Sequence, residues 1–121
     1  MKKKLKRIQE FLDTDEALFE LANLDKFDTG LPMMVWIGEK RGPHGPRVKV
    51  ARTYNHRTIA GDSFSVSIVD KPKIVAGDQG VISNKDVKKV INWILLNKTM
   101  LLQYWDSKII TREMFELLQK L

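Results

Sequence analysis

Apolar and polar positions alternate in different ways along this 121-residue chain, and the changes predict helices at both ends with strands between them. From residue 2 to about residue 22, apolar residues recur every three or four positions, as on one face of a helix. Thr14, which two acids follow, is typical of a helix N-cap and favours two short helices in place of one. Residues 23–30 are mostly polar and predict a connector.

The middle of the chain predicts β-strands. Residues 31–37 are an uncharged apolar run of strand length, and residues 47–54 alternate basic residues with valines. In residues 63–69 serines alternate with Phe64, Val66 and Ile68, which predicts a half-buried strand whose serines face solvent or a partner. Residues 73–76 leave open a further short strand.

The last third predicts two helices. Ser83, three residues before Asp86, resembles a capping box and begins a wide apolar stripe that runs to Trp105. Residues 111–121 predict the second helix. The expected fold class is therefore α+β, as a single domain over residues 1–121. It comprises an N-terminal helical segment (1–30), an antiparallel sheet of three or four strands (31–82) and a C-terminal helix pair on one face (83–121).

Composition narrows the class of protein. The net charge is +6, which favours association with polyanions such as nucleic acid. The absence of cysteine excludes disulfides, thiolate zinc sites and cysteine nucleophiles. The apolar runs are far shorter than the ~20 residues of a membrane span, and the N-terminus does not resemble a signal peptide. The expected location is the cytoplasm.

The strongest functional signal is a basic strip at residues 39–57, which contains a single acid. Its alternation places Arg47 and Lys49 in a row on the predicted solvent face of a strand. Clustered cations of this kind follow a phosphate path, and a nearby aromatic ring offers a stacking surface. The residues predicted to contact nucleic acid or an acidic protein are Lys40, Arg41, Arg47, Lys49, Arg52, Tyr54 and Arg57.

A catalytic alternative rests on the two histidines of the chain, both in this strip. His44 and His56 as proton carriers beside arginine or lysine would suit a ribonuclease-like enzyme that needs no metal. The sequence carries none of the common phosphate-loop, nucleophile-elbow or metalloprotease motifs. No cofactor is predicted, and the spacing of the histidines predicts no metal site.

A second alternative is a protein–protein interaction module, with a homodimer as one form. The C-terminal half is rich in aromatic residues and methionine, which suit either the core or an interface. These residues are Trp93, Met100, Tyr104, Trp105, Met114 and Phe115.

Residues 81–106 resemble the helix of a small bacterial family, domain-of-unknown-function family 4160. The matching positions are Trp93, Asn97, Lys98, Leu101, Leu102 and Trp105. Members of that family also carry an antiparallel hairpin before this helix, as predicted here, with a proline–histidine motif that Pro43 and His44 match. The second histidine of the motif is missing, because Arg47 and Lys49 stand in its region.

The resemblance covers about the last two thirds of the chain and implies no catalytic residue, since the family has no established activity. Its members often lie beside another small domain in an arrangement similar to toxin–antitoxin pairs. The resemblance therefore implies a cytoplasmic accessory protein of a bacterium or of its mobile elements, including phage.

Overall fold

The computed structural model describes residues 21–38, 40 and 43–121, and these residues form an α+β fold with one antiparallel sheet. The strand order is β1-β2-β3-β4-β5, so strands that follow one another along the chain are neighbours in the sheet. The strands are β1 (Leu21–Leu24), β2 (Val35–Gly38), β3 (Arg47–Ala51), β4 (Ser63–Ser67) and β5 (Ile74–Ala76). The helices are α1 (Lys26–Thr29), α2 (Asn84–Leu96), α3 (Lys98–Trp105) and α4 (Thr111–Leu117). The predicted α+β class and antiparallel sheet are confirmed.

The first strand lies where the sequence predicted the end of a helix and a polar connector. In β1, Ala22 pairs with Ile37 and Leu24 with Val35, and all four side chains are buried. The prediction is wrong here because four residues are too few to distinguish strand from helical periodicity, and pairing with an apolar neighbour decides the outcome. The sheet consequently has five described strands instead of three or four. Residues 2–20 of the predicted N-terminal helical segment lie outside the described residues.

Both faces of the sheet are buried at its centre. On one face, Val35, Val50 and Phe64 stand in register and are almost fully buried. On the other face, Ser65 is also buried, as is Ser67 two residues further along β4. The expectation that these two serines face solvent is wrong: the Ser67 hydroxyl donates to the Lys73 carbonyl (3.3 Å) and accepts from the Lys73 amide (3.1 Å), and Ser65 lies between Lys49 and Ala76 in the register.

The predicted long helix is divided at Asn97, which makes three C-terminal helices in place of the predicted pair. The backbone of Asn97 (φ −108°, ψ 13°) ends α2, and α3 begins at the next residue. The side-chain Nδ2 of Asn97 donates to the Trp93 carbonyl (3.1 Å) and to the Gln119 carbonyl (3.0 Å), while Oδ1 accepts from the Gln119 amide (2.8 Å). This one side chain therefore joins the helix break to the segment that follows α4.

Most of the aromatic and methionine side chains of the C-terminal half belong to the core. Trp93, Met100, Tyr104 and Met114 are at most 6% exposed and cluster with the buried residues of the sheet. Phe115, by contrast, is 42% exposed. These helices mainly close the hydrophobic core over the sheet.

Candidate nucleic-acid interface

Strand β3 divides the predicted basic strip between the two ends of the sheet. Lys40 follows β2 and Arg47 begins β3, so both lie at the end where the β2–β3 connection runs. Arg52, Tyr54 and Arg57 follow β3 and belong to the connection at the opposite end. The five residues of β3 span about 16 Å, so the strip does not form one continuous surface. Arg41 lies outside the described residues.

At the far end of β3, the Arg52 guanidinium is held by two carboxylates. Its Nη1 lies 3.1 Å from Asp62 Oδ1, and its Nη2 lies 2.8 Å from Asp78 Oδ1. The hydrogen bond to Asp78 is the main reason why the pKa of Arg52 is raised and that of Asp78 is lowered. Arg52 thus joins the loop before β4 to the loop after β5, and the carboxylates of Asp62 and Asp78 already neutralise its charge.

Tyr54 also has a structural partner. Its hydroxyl donates to Asp86 Oδ2 (2.6 Å) and accepts from the Ser83 amide (3.1 Å), which attaches the β3–β4 connection to the N-terminus of α2. The hydrogen bond from Tyr54 is the largest of the effects that lower the pKa of Asp86. Arg57 stays exposed in the same connection.

Lys49 is only partly accessible. It lies between Trp36 and Ser65 in the register of the sheet, and both of these neighbours are buried. Burial lowers the pKa of Lys49, because removing an ammonium group from water disfavours its charged form. Arg47 and Lys49 share the partly exposed face of β3, opposite its buried valines, and the contact of Lys49 with an anion stays a prediction.

Four cations gather at the end of the sheet that carries the β2–β3 connection, and we call Lys40, Arg47, Lys71 and Lys73 the basic end. Arg47 pairs with Ser67, whose amide donates to the Lys73 carbonyl (2.9 Å). Arg47 and Lys73 therefore lie on either side of Ser67, two strand spacings or about 10 Å apart. Lys40, Lys71 and Lys73 are exposed and Arg47 is partly exposed. No carboxylate of the described residues forms an ion pair with any of the four.

Sequence reasoning missed Lys71 and Lys73. The signal was present, because the end of β4 must lie beside the start of β3 in an antiparallel hairpin, and the sequence DKPK begins three residues after the end of β4. A sequence window centred on residues 39–57 does not include these lysines, because they belong to the β4–β5 connection.

Helix α3 lies beside this end of the sheet, and its first residue neutralises the charge of a nearby acid, Asp70. Lys98, the first residue of α3, forms an ion pair with Asp70, and this contact lowers the pKa of Asp70. At the other end of α3, the Trp105 carbonyl accepts a hydrogen bond from the Lys40 amide (2.7 Å). Asp70 is therefore engaged by Lys98, which leaves Lys71 and Lys73 available to an external anion.

A groove of about 430 Å³ lies between the β2–β3 connection and the end of α3. Its apolar residues are Pro43, Pro46, Leu102 and Trp105, and its polar or charged residues are Lys40, His44 and Asp106. The lining residues are Lys40, Pro43, His44, Gly45, Pro46, Leu102, Trp105 and Asp106. A volume of this size falls in the range of small-ligand sites in proteins.

The two histidines lie at opposite ends of β3. His44 lines the groove before the strand, and His56 is exposed in the connection after it. Side chains separated by the length of β3 cannot act on one phosphodiester bond. Over the described ranges, no three histidine or acidic side chains are grouped as metal ligands.

Protein-family models, curated proteins and solved structures give no match to this chain. The resemblance to family 4160 therefore stays a prediction. No helix in the described part of the chain is long and apolar enough to cross a bilayer.

Proposed function

We propose that this protein binds nucleic acid without cleaving it, through the phosphates, at the basic end formed by Lys40, Arg47, Lys71 and Lys73. The observation that carries the proposal is the convergence of four cations from two connections, without ion-pair partners among the described carboxylates. Such groups bind phosphates and release the counterions condensed on the nucleic acid. The net charge of +6 adds a long-range attraction.

Nucleic acid suits this surface better than an acidic protein does. Three of the four cations are lysines, whose ammonium groups bind phosphates as point charges, and a nucleic acid presents such phosphates in a regular line. Arg47 begins β3 and Arg52 follows it. Arg52 already binds the carboxylates of Asp62 and Asp78, so of these two arginines only Arg47 could bind a carboxylate of a partner. The basic end is therefore better suited to a line of phosphates than to individual carboxylates.

The other two functions receive less support. The ribonuclease hypothesis, with His44 or His56 as proton carrier, loses the version in which both histidines act at one site, because they lie at opposite ends of β3. The interaction-module hypothesis needs exposed aromatic side chains on the C-terminal helices, most of which are buried. The accessory role in a bacterium or mobile element, which the resemblance implies, stays a prediction.

Fluorescence anisotropy with a labelled oligonucleotide tests the proposal through its salt dependence. Four phosphate contacts predict a slope of log K against log salt of about −3, because each contact contributes about −0.7 to −0.9. The variant Lys71→Gln/Lys73→Gln should reduce the magnitude of this slope by about 1.5.

Lys85→Gln/Lys88→Gln is the matched control, since it removes two exposed lysines from α2 and changes the net charge equally. Affinity and slope should remain close to those of the unmodified protein. Equal losses in both double variants would show that net charge, and not the basic end, controls binding. Displacement of the oligonucleotide by polyglutamate at the same charge concentration would instead assign the surface to an acidic protein.

A further inference from the structure

The groove beside the basic end differs in chemistry from a phosphate site. About half of its lining is apolar, from Leu102, Trp105 and two prolines, and Asp106 adds a negative charge to the lining. A phosphate in this groove would lose hydration against the apolar side chains and would be repelled by the carboxylate. The groove is better suited to a flat, uncharged group whose polar edge carries hydrogen-bond donors.

The groove is formed by packing and hydrogen bonding of its walls. Trp105 is 8% exposed, and its carbonyl accepts from the Lys40 amide, which holds the β2–β3 connection against α3. On the opposite wall, the Pro46 carbonyl accepts from the Ile68 amide (2.9 Å), which fixes the start of β3 beside β4. A preformed apolar groove can accept a planar ligand at a small cost in conformational entropy.

The groove and the basic end are adjacent along the chain and in space. Lys40 belongs to both, and Pro46, which lines the groove, directly precedes Arg47. A strand whose phosphates lie on Arg47 and its neighbours can therefore place a base in the groove only where that base is not paired. In a duplex the bases are stacked and paired, so none can enter without being extruded.

Asp106 gives the groove a means of distinguishing bases. Its side chain is exposed and has no ion-pair partner among the residues that the structure describes. A carboxylate accepts two hydrogen bonds from adjacent N–H donors, and the unpaired Watson–Crick edge of guanine presents two such donors, N1–H and the amino group. Adenine, cytosine and thymine or uracil do not present this pair of donors on that edge.

We infer that the groove holds one unpaired guanine of a single-stranded nucleic acid, with its ring against Trp105 and Leu102 and its donor edge toward Asp106. This inference rests on the proposed function and adds strand and base preference to it. Lys40 and Arg47 hold the neighbouring phosphates, while Asp106 makes the groove unfavourable for a phosphate itself. Sequence preference is therefore limited to one position in an otherwise non-specific contact.

The test compares labelled nine-nucleotide strands of thymidine in which the central base is guanine, adenine or thymine, together with a hairpin duplex of equal charge. The guanine strand should bind about tenfold more tightly than the other two strands, since a bidentate base contact contributes about 1–3 kcal/mol. It should also bind more tightly than the duplex at equal salt concentration.

Asp106→Asn should abolish the preference for guanine while leaving the thymidine strand bound at least as well, because a repulsive charge near phosphates has been removed. Glu116→Gln, on the exposed side of α4, changes the net charge equally and should preserve the preference.

The outcomes separate the inference from the proposed function. Equal binding of duplex and single strands, with the expected salt slope, would overturn the inference and leave nucleic-acid binding intact. A guanine preference that survives Asp106→Asn would overturn the role of Asp106. The absence of binding to every strand at low salt would overturn both the inference and the proposed function.

Discussion

Replacement of Asn97 by alanine should destabilise the fold by about 2 kcal/mol. The Asn97 side chain is 3% exposed and makes two hydrogen bonds to the backbone of Gln119, at 3.0 and 2.8 Å. Each such bond contributes about 1 kcal/mol net. The third bond, to the Trp93 carbonyl, adds less, because that carbonyl also accepts from the Asn97 backbone amide. For a chain of this length, the loss corresponds to a decrease of about 8 °C in Tm.

Urea unfolding followed by tryptophan fluorescence measures this loss, and Asn92→Ala is the control. Asn92 lies on the exposed side of α2, so its replacement should change the free energy of unfolding by less than about 0.5 kcal/mol. A similar small loss in both variants would refute the assigned role of Asn97.

A double-mutant cycle identifies the partner. A chain that ends at Leu118 lacks Gln119 and also the hydrogen bond from the Leu121 amide to the Thr29 carbonyl (2.8 Å). In that shortened chain, Asn97→Ala should cost much less than in the full chain, with a coupling energy of about 1–2 kcal/mol. Additive losses would show that Asn97 stabilises its own helix break and not the C-terminal segment.

Two further predictions concern the loops at the far end of β3. Gly80→Ala should cost about 2 kcal/mol or more, because Gly80 has φ +57° and a Cβ there would lie 2.5 Å from the Arg52 carbonyl oxygen. Gly61→Ala is its control in the same urea assay: the nearest atom lies 3.8 Å away, so a comparable loss in this variant would contradict the steric explanation. Tyr54→Phe should raise the pKa of Asp86 toward its ordinary value, measured by NMR titration of the carboxyl carbon, since the Tyr54 hydroxyl is the main cause of its lowering. The stability lost in Tyr54→Phe should be greatest above the unfolded-state pKa of about 4 and should decrease as the pH falls through the native pKa, down to the part that comes from the Ser83 amide hydrogen bond; a loss that does not change with pH would contradict this account.

Local sequence patterns predicted those parts of the fold in which burial and periodicity agree. Alternation in residues 47–51 gave β3 with its buried valines, and the helical stripe gave the positions of α2 and α3. The pattern did not reveal the break at Asn97, because the apolar stripe continues through it. The Asn97 side chain at the break hydrogen-bonds to Gln119, 22 residues away, and no local window contains this contact.

The sequence predicted only part of the candidate site, because contacts between distant residues are again not visible in a local segment. Charge counted within residues 39–57 identifies cations but does not show which of them are compensated. Arg52 is bound by Asp78, 26 residues further along the chain. Lys49 is partly buried beside a neighbouring strand.

The same antiparallel topology that separates Arg52 from Arg47 brings Lys71 and Lys73 to Arg47. Strand pairing places residues of different connections side by side at each end of the sheet. The charge at each end therefore depends on which connections lie there, and not on one segment of the sequence. At the far end, Asp62 and Asp78 compensate the arginine. At the near end, the lysines follow Asp70, which Lys98 already engages. Among the residues that the structure describes, cations without ion-pair partners therefore gather where β4 ends, and this asymmetry is the reason to seek a polyanion there and not along the whole basic strip.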